Sequence, residues 1–205
     1  DPDILSTIQD KGLQKSWYRD HDFPTSPFVL VENLEHAREM LDEGVIEYPF
    51  VQKVRTEGYD GRGVEVIENE KDLENSWLEG MSVMENKVDI HKELAVIAVR
   101  NAEGEISLFP PVEMDFHGGA NLLDHLACPA EISPNINMKL RNLSRELVEA
   151  WDYEGILAIE YFLSNEGELL INEVAPRPHN SGHHTIEGCT TSQFSQHLRA
   201  LLNWP

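Results

Sequence analysis

The chain has 205 residues, of which 40% are hydrophobic, enough for one large domain or two lobes with a real core and too many for global disorder. Its 37 acidic residues against 16 Lys and Arg leave a net charge of −21, which argues against a nucleic-acid partner and against attraction to an anionic membrane. The acid is spread along the chain, the pattern of a solvated surface. Cys128 and Cys189 form no CxxC pair, zinc motif or disulfide framework, which fits a reducing compartment. The longest apolar runs, such as Leu94 to Val99, are far too short to span a bilayer, and the Asp1-Pro2 start carries no secretory signal pattern.

In chain order, Asp1-Pro2 opens a helix with Ile4, Leu5 and Ile8 as apolar positions, running on or restarting through Leu13 and Trp17. Pro24 and Pro27 mark an extended link. Asn33 caps a helix with Leu34, Ala37 and Leu41 inward and Gly44 at its end. Phe50 to Lys53 and Val64 to Ile67 read as strands joined by a hairpin loop holding Gly58, Gly61 and Gly63. A short helix over Lys71 to Leu78 precedes strands near Ser82 to Glu85, Glu93 to Arg100, Glu105 to Phe109 and Val112 to Phe116. Ser133-Pro134 caps a helix whose apolar positions run through Ile136, Leu140, Leu143, Leu147 and Trp151. Strands Ile156 to Leu163 and Glu168 to Val174 follow, then an irregular loop from Pro176 to Gly188 and a last helix over Thr191 to Leu202. Interleaved helices and hairpins predict an α+β chain with mostly antiparallel sheets.

The sharpest chemical signal is Glu160 with Glu173. If Glu166-Gly167 is a two-residue turn, strand partners have numbers summing to 333, and these two carboxylates face each other. Their Cβ atoms would then be roughly 4.5–5.5 Å apart, a repulsive placement that a divalent cation reverses. Magnesium suits it, taking one or two carboxylates plus phosphate oxygens. Flanking Ala158, Ile159, Phe162, Leu170 and Ile171 make both strands look buried, where an unpaired carboxylate is costly. The alternatives are that one Glu faces solvent, or that the loop has another length and the register shifts.

The glycine loop can present backbone N–H groups to a phosphate, with Lys53 adding charge, although GxxxxGK[ST] spacing is absent. A plain tight turn is the competing reading. Lys11 and Lys15, four apart, share a helix face that by itself reads as ordinary exposed surface. The stretch from Glu85 through Asn86, Lys87 and Val88 can serve as a hinge for adenine, with Glu93 available to ribose hydroxyls; neither is specific on its own. The loop from Ala175 to His184 is dense in hydrogen-bonding groups. Arg177 can hold a carboxylate or phosphate, and His179, Asn180 and His183 can orient an anion or move a proton. Three histidines in HxxxHH order lack zinc-ligand spacing, and His91 and His125 read as ordinary polar or packing residues.

The run Ile171-Asn172-Glu173-Val174-Ala175-Pro176-Arg177-Pro178-His179-Asn180-Ser181-Gly182-His183, with Thr190-Thr191-Ser192-Gln193-Phe194, resembles the 5-(carboxyamino)imidazole ribonucleotide synthetase family. So do Arg55 to Gly63 and the Gln9-Asp10-Lys11 and Gln14-Lys15 segment. The resemblance implies an ATP-grasp fold, two α+β lobes clamping ATP, with a small lid lobe over about 48–88 and a larger lobe over about 89–205. It implies Lys11, Lys53 and Lys15 on phosphates, and Gly58, Tyr59, Asp60, Gly61, Arg62, Gly63 and Val64 covering them. Glu85, Asn86, Lys87 and Val88 would take the adenine and Glu93 the ribose. His117, Asn172 and Glu173 would lie at the nucleotide, and Glu160 and Glu173 would bind Mg2+. Arg177, His179 and Asn180, with Tyr59 and Asp60, would face bicarbonate and aminoimidazole ribonucleotide.

The implied activity is ATP-dependent carboxylation of that ribonucleotide through carboxyphosphate, in cytoplasmic purine biosynthesis, in a homodimer. Glu57 stands where the family usually has glycine, and Ala175 where many ATP-grasp relatives have asparagine. The family's N-terminal nucleotide-fold domain and short C-terminal domain are not in this stretch, which predicts that it is the central portion of a longer enzyme and inactive alone. Another ATP-grasp carboxylase or ligase, or a nucleotide-binding module without turnover, are the competing functions.

Overall fold

Helix boundaries fall where side chains can satisfy the orphan N–H groups of a first turn. In the computed structural model, which describes residues 2–56, 63–117 and 122–204, α1 (Pro2–Gln9) stops at Asp10, whose carboxylate accepts from the Gly12 and Leu13 N–H groups and starts α2 (Lys11–Asp20). Asn33 caps α3 (Leu34–Asp42), and Asn69 caps α4 (Glu70–Ser76). Ser133 caps α5 (Pro134–Ala150), and Ser192 caps α7 (Gln193–Leu201). The irregular loop contains a 3₁₀ turn (Asn180–Gly182) and the short α6 (Thr185–Gly188).

The strands are β1 (Phe28–Val31), β2 (Phe50–Val54), β3 (Val64–Ile67), β4 (Ser82–Asn86), β5 (Ile90–Arg100), β6 (Ile106–Leu108), β7 (Val112–His117), β8 (Leu122–Ala127), β9 (Gly155–Ser164) and β10 (Leu169–Ala175). They form a four-stranded sheet in the order β1-β4-β2-β3 and a six-stranded sheet in the order β10-β9-β5-β7-β8, with β6 also on β5. The pairs β1–β4, β4–β2, β2–β3, β6–β5, β5–β7, β5–β9 and β9–β10 are antiparallel, as the hairpin pattern predicts. Two strands are additions to the sequence reading. β1 follows the proline link, and β8 precedes the loop that leads into α5.

Contacts divide the chain into one unit built on residues 6–89 and another on 2–5, 90–117 and 123–204. The first unit therefore starts well before residue 48. β1 pairs with β4 along Phe28–Glu85 to Val31–Ser82, and Ala37 of α3 packs with Val31, Phe50, Ile67, Leu73 and Met84. In the second unit α5 covers one face of the large sheet, its buried Leu140, Ser144 and Leu147 lying toward Tyr161, whose hydroxyl is 2.8 Å from Ser144 Oγ. On the other face Ile97, Val99, Ile156 and Ala158 pack with Ala200 of α7. Alternation along β9 thus assigns odd residues to α5 and even residues to the α7 face.

Candidate functional site

The β9–β10 hairpin turns on three residues, not two. Ser164 and Glu168 close the loop: the Ser164 N–H donates to the Glu168 carbonyl at 2.9 Å, and the Gly167 N–H donates to the Ser164 carbonyl at 3.0 Å. Gly167 has φ +83°, the left-handed conformation that a three-residue hairpin needs at this point. The ladder then pairs Leu169 with Leu163, Leu170 with Phe162 and Ile171 with Tyr161, one step away from the register expected for a two-residue turn. A bulge between Ile171 and Val174 restores that register, with Val174 opposite Ile159 and Ala175 opposite Ala158.

The bulge decides the chemistry. Ile171 shares the Tyr161 face, so Asn172, the next residue, falls on the Glu160 face. Val174 shares the Ile159 face, so Glu173, the residue before it, also falls on the Glu160 face. Two residues of β10, Asn172 and Glu173, therefore stand against one residue of β9, Glu160. All three are partly buried. The expectation of a direct Glu160–Glu173 cross-strand pair in an unbroken ladder is corrected to this two-against-one arrangement.

Each oxygen of Glu160 has a long polar contact: Asn172 Nδ2 at 3.4 Å from Oε2 and His179 Nε2 at 3.4 Å from Oε1. Carboxylates are acceptor-only, hard oxygen donors, and two of them on one partly buried face fit a magnesium ion better than they fit each other. Among the described residues no group of three or more His, Cys, Asp or Glu side chains is placed to hold a metal. A cation on Glu160 and Glu173 would complete its shell with ligand oxygens and water, the habit of Mg2+.

His179 follows on the same side. It is 8% exposed and caps the 3₁₀ turn: its Nδ1 lies 3.4 Å from the Ser181 N–H nitrogen and 2.9 Å from Ser181 Oγ. The other ring nitrogen, Nε2, faces Glu160. Asn180 is exposed and its Oδ1 accepts from the Ser181 N–H at 2.8 Å. Arg177 is exposed, with Nη1 donating to the Pro178 carbonyl at 3.1 Å. Of the three, the structure brings His179 to Glu160.

The unit on residues 6–89 holds a second cluster, which the sequence reading missed. Glu85 is buried on β4. Its Oε1 lies 3.1 Å from Lys53 Nζ, and its Oε2 lies 3.3 Å from Lys15 Nζ and accepts the Ser26 hydroxyl at 2.6 Å. Burial by itself would raise the Glu85 pKa. The charges of Lys53 and Lys15 and the Ser26 hydrogen bond overcome it and hold the carboxyl at about 2. At Lys15 the balance goes the other way: burial outweighs Glu85, Lys53 adds repulsion, and the ammonium is lowered to about 8.

Lys15 Nζ also donates to Thr25 Oγ1 at 2.6 Å and Ser26 Oγ at 2.8 Å, and lies 5.5 Å from the centre of the Phe28 ring. Three donors meet three acceptors, so Lys15 is a buried counter-ion of Glu85, not the ordinary exposed helix-face residue that its spacing suggests. Glu85 likewise uses its side chain on the lysines, leaving Asn86, Lys87 and Val88 as the surface part of the hinge stretch. Lys87 is exposed and donates to Glu68 at 2.5 Å.

Lys53 is 9% exposed, and Val64 is its ladder partner across the β2–β3 hairpin. Gly63, at the return of that hairpin, has φ +79° and accepts the Val54 N–H at 2.8 Å. Gly58, Tyr59, Asp60, Gly61 and Arg62, and the side chain of His117, lie outside the described residues. Lys11 is half-exposed at the start of α2, where its N–H donates to the Arg55 carbonyl at 2.9 Å. Arg55 also reaches Asp10 with both ends of its fork, at 2.8 and 2.7 Å. This latch ties the helix carrying Lys11 to the strand end carrying Lys53. Glu93 is half-buried on β5 of the other unit.

Antiparallel α+β units, one with a buried lysine–glutamate cluster before a glycine hairpin and the other with carboxylates on a bulged hairpin, define a class. The chain belongs to the ATP-grasp family, whose domain matches residues 16–194. Within it the chain is similar to the N5-carboxyaminoimidazole ribonucleotide synthase of Bacillus subtilis, at 37% identity over 99% of this chain and 53% of that protein. The N5-carboxyaminoimidazole ribonucleotide synthetase structure from Thermotoga maritima matches with a TM-score of 0.85 and 44% identity, covering 100% of this chain and 51% of that one. The Aspergillus clavatus synthase in complex with ADP and 5-aminoimidazole ribonucleotide matches with a TM-score of 0.88 and 30% identity, covering 99% and 53%. The chain thus spans about half the length of the bacterial relatives. Among the described residues no helix is long and apolar enough to cross a membrane.

Proposed function

We propose that this chain is the ATP-grasp portion of an enzyme that carboxylates 5-aminoimidazole ribonucleotide with bicarbonate, at the expense of ATP. The products are 5-(carboxyamino)imidazole ribonucleotide, ADP and phosphate. The observation that carries the proposal is the β10 bulge, which sets Asn172 and Glu173 on the Glu160 face directly before the Arg177–His183 loop. The Aspergillus relative bound to ADP and the aminoimidazole ribonucleotide supports the choice of substrate. The reaction belongs in this reading to a cytoplasmic homodimer of purine biosynthesis.

Lys53 and Lys11 would offset charge on the nucleotide phosphates, with the Gly58 to Val64 hairpin covering them. The backbone of Asn86 to Val88 would take the adenine, Glu93 the ribose hydroxyls, and His117 a place at the nucleotide. Glu160 and Glu173 would hold Mg2+, with Asn172 beside them; a cation there supplies charge neutralisation for the transferring phosphoryl group. Phosphoryl transfer asks the protein mainly for positioning and electrostatics.

A bicarbonate oxygen attacks the γ-phosphorus, the bond to the β–γ bridging oxygen breaks, and ADP leaves with that electron pair. The amine of the ribonucleotide then attacks the carboxyl carbon of carboxyphosphate. The C–O bond to phosphate breaks, phosphate leaves, and the amine loses a proton. Arg177 and Asn180, both exposed, would orient bicarbonate and the ribonucleotide, with Tyr59 and Asp60 beside them. His179, facing Glu160, is suited to hold that carboxylate in place and to meet the substrates.

Replacing Glu173 with Gln keeps the shape and removes one charge. In the full-length enzyme it should lower bicarbonate- and ribonucleotide-dependent ATP turnover by about 100-fold or more, with thermal stability close to wild type because the residue is only partly buried and the substitution keeps its shape. Unchanged turnover would refute the assignment. Formate or biotin replacing bicarbonate in the assay separates the other ATP-grasp ligases.

A further inference from the structure

Gln193, the first residue of α7, is fully buried and lies outside the phosphate, adenine and carboxylate sets. Its amide is spent mainly on the backbone of one residue, His179. Oε1 accepts the His179 N–H at 2.9 Å, and Nε2 donates to the His179 carbonyl at 2.8 Å while lying 3.3 Å from His183 Nδ1. The Gln193 N–H donates to Thr185 Oγ1 at 2.8 Å, and that hydroxyl donates to the Gly182 carbonyl at 2.6 Å. Residues 179–185 are therefore folded around a single side chain.

The packing leaves no slack. A Cβ on Gly182 would lie 2.4 Å from Gln193 Oε1 and 2.6 Å from its Cδ, so glycine is required for the loop backbone to approach the amide. A primary amide supplies a donor and an acceptor at this spacing; an ionised carboxylate has no donor, and an apolar isostere leaves both backbone groups of His179 buried and unpaired. The clamped residue is the one whose Nε2 faces Glu160.

We propose that Gln193 is a positioning residue. By holding both backbone groups of His179 it aims the imidazole at Glu160 and so orders the carboxylate face on which the reaction depends. The kinetic consequence rests on the carboxylase reading given above; the geometric consequence does not. Gln193 touches neither nucleotide nor metal in this account and acts through the histidines of the loop, chiefly His179.

The test compares wild type, Gln193→Met, Gln193→Glu and Ser144→Ala, each made in the full-length enzyme because this portion is expected to be inactive alone. The last breaks the buried Tyr161 contact on the opposite face of the sheet and serves as a stability control. Readouts are melting temperature, kcat and KM for ATP in ribonucleotide-dependent turnover, and the His179 ring signals by NMR, which need no activity. For Gln193→Met, kcat should fall about 10- to 100-fold, the range for supporting residues around a metal site. The KM for ATP should stay close to wild type, and the His179 signals should move. Gln193→Glu should act in the same direction, and it carries the test if Gln193→Met does not fold. Ser144→Ala should lower the melting temperature without moving kcat or the His179 signals. Unmoved His179 signals in a folded Gln193 variant would overturn the proposal, as would a kcat loss shared equally by Ser144→Ala. Absence of ribonucleotide-dependent turnover in the wild-type full-length enzyme would instead overturn the carboxylase reading, with the NMR arm still deciding the clamp.

Discussion

Replacing Glu85 with Gln removes one charge from a cluster of three and leaves two buried ammonium groups, Lys15 at 2% and Lys53 at 9% exposure, without their shared counter-ion. Breaking a buried ion pair by removing one partner costs about 3–5 kcal/mol. The acid side gives an independent figure. Glu85 titrates at about 2 when folded against an ordinary 4.5, so at neutral pH it contributes about 3 kcal/mol of stability.

The sign follows from a depressed pKa: the contribution is complete above about 4.5 and is lost as pH falls toward 2. Urea unfolding between pH 7 and pH 2 should show wild type losing this increment while Glu85→Gln, already lower by a similar amount at pH 7, shows a correspondingly flatter profile. A second measurement guards against a general loss of packing. Adding Lys15→Met to Glu85→Gln should recover part of the loss, since one uncompensated charge goes with it, and the cycle should be non-additive. A Glu85→Gln protein within about 0.5 kcal/mol of wild type at pH 7, or one with the wild-type acid slope, would refute the buried-cluster account.

Other consequences follow from local geometry. Gly167→Ala forces a Cβ into φ +83° at the hairpin and should cost about 1–2 kcal/mol by chemical denaturation. A neutral effect would contradict the three-residue turn. Asp10→Ala removes both the α2 cap and the bidentate Arg55 contact, and should lower stability by about 1–2 kcal/mol. Because the same latch seats the helix of Lys11, a rise in KM for ATP should accompany the loss; a stability change with unaltered KM would detach Lys11 from the nucleotide.

Two helix starts were legible because a cap announces itself locally: Asn33 and Ser133 both sit beside the residues whose N–H groups they bind. β1 was hidden by its prolines, since Pro24 and Pro27 draw attention to the link and away from the four-residue edge strand behind it. The carboxylate pair shows how a correct face can follow from an incorrect ladder. A two-residue turn with an unbroken ladder and a three-residue turn with a bulge give the same pairing beyond Val174, and no residue pattern distinguishes them. Lys15 and Glu85 were read one at a time, as a helix-face residue and a hinge residue. Their meeting depends on strand order, because β4 lies between β1 and β2 and so brings Glu85 next to Ser26 and Lys53. Gln193 stood out only as part of a family-like run; its grip on His179 spans fourteen positions and has no local signature.

A crystal structure of the protein with Mg-ADP tests the account at its centre. The prediction is one magnesium ion bonded at about 2.1 Å to an oxygen of Glu160 and to an oxygen of Glu173, with diphosphate oxygens completing its shell. A magnesium held by phosphate and water alone, with either glutamate turned away from it, would contradict the account.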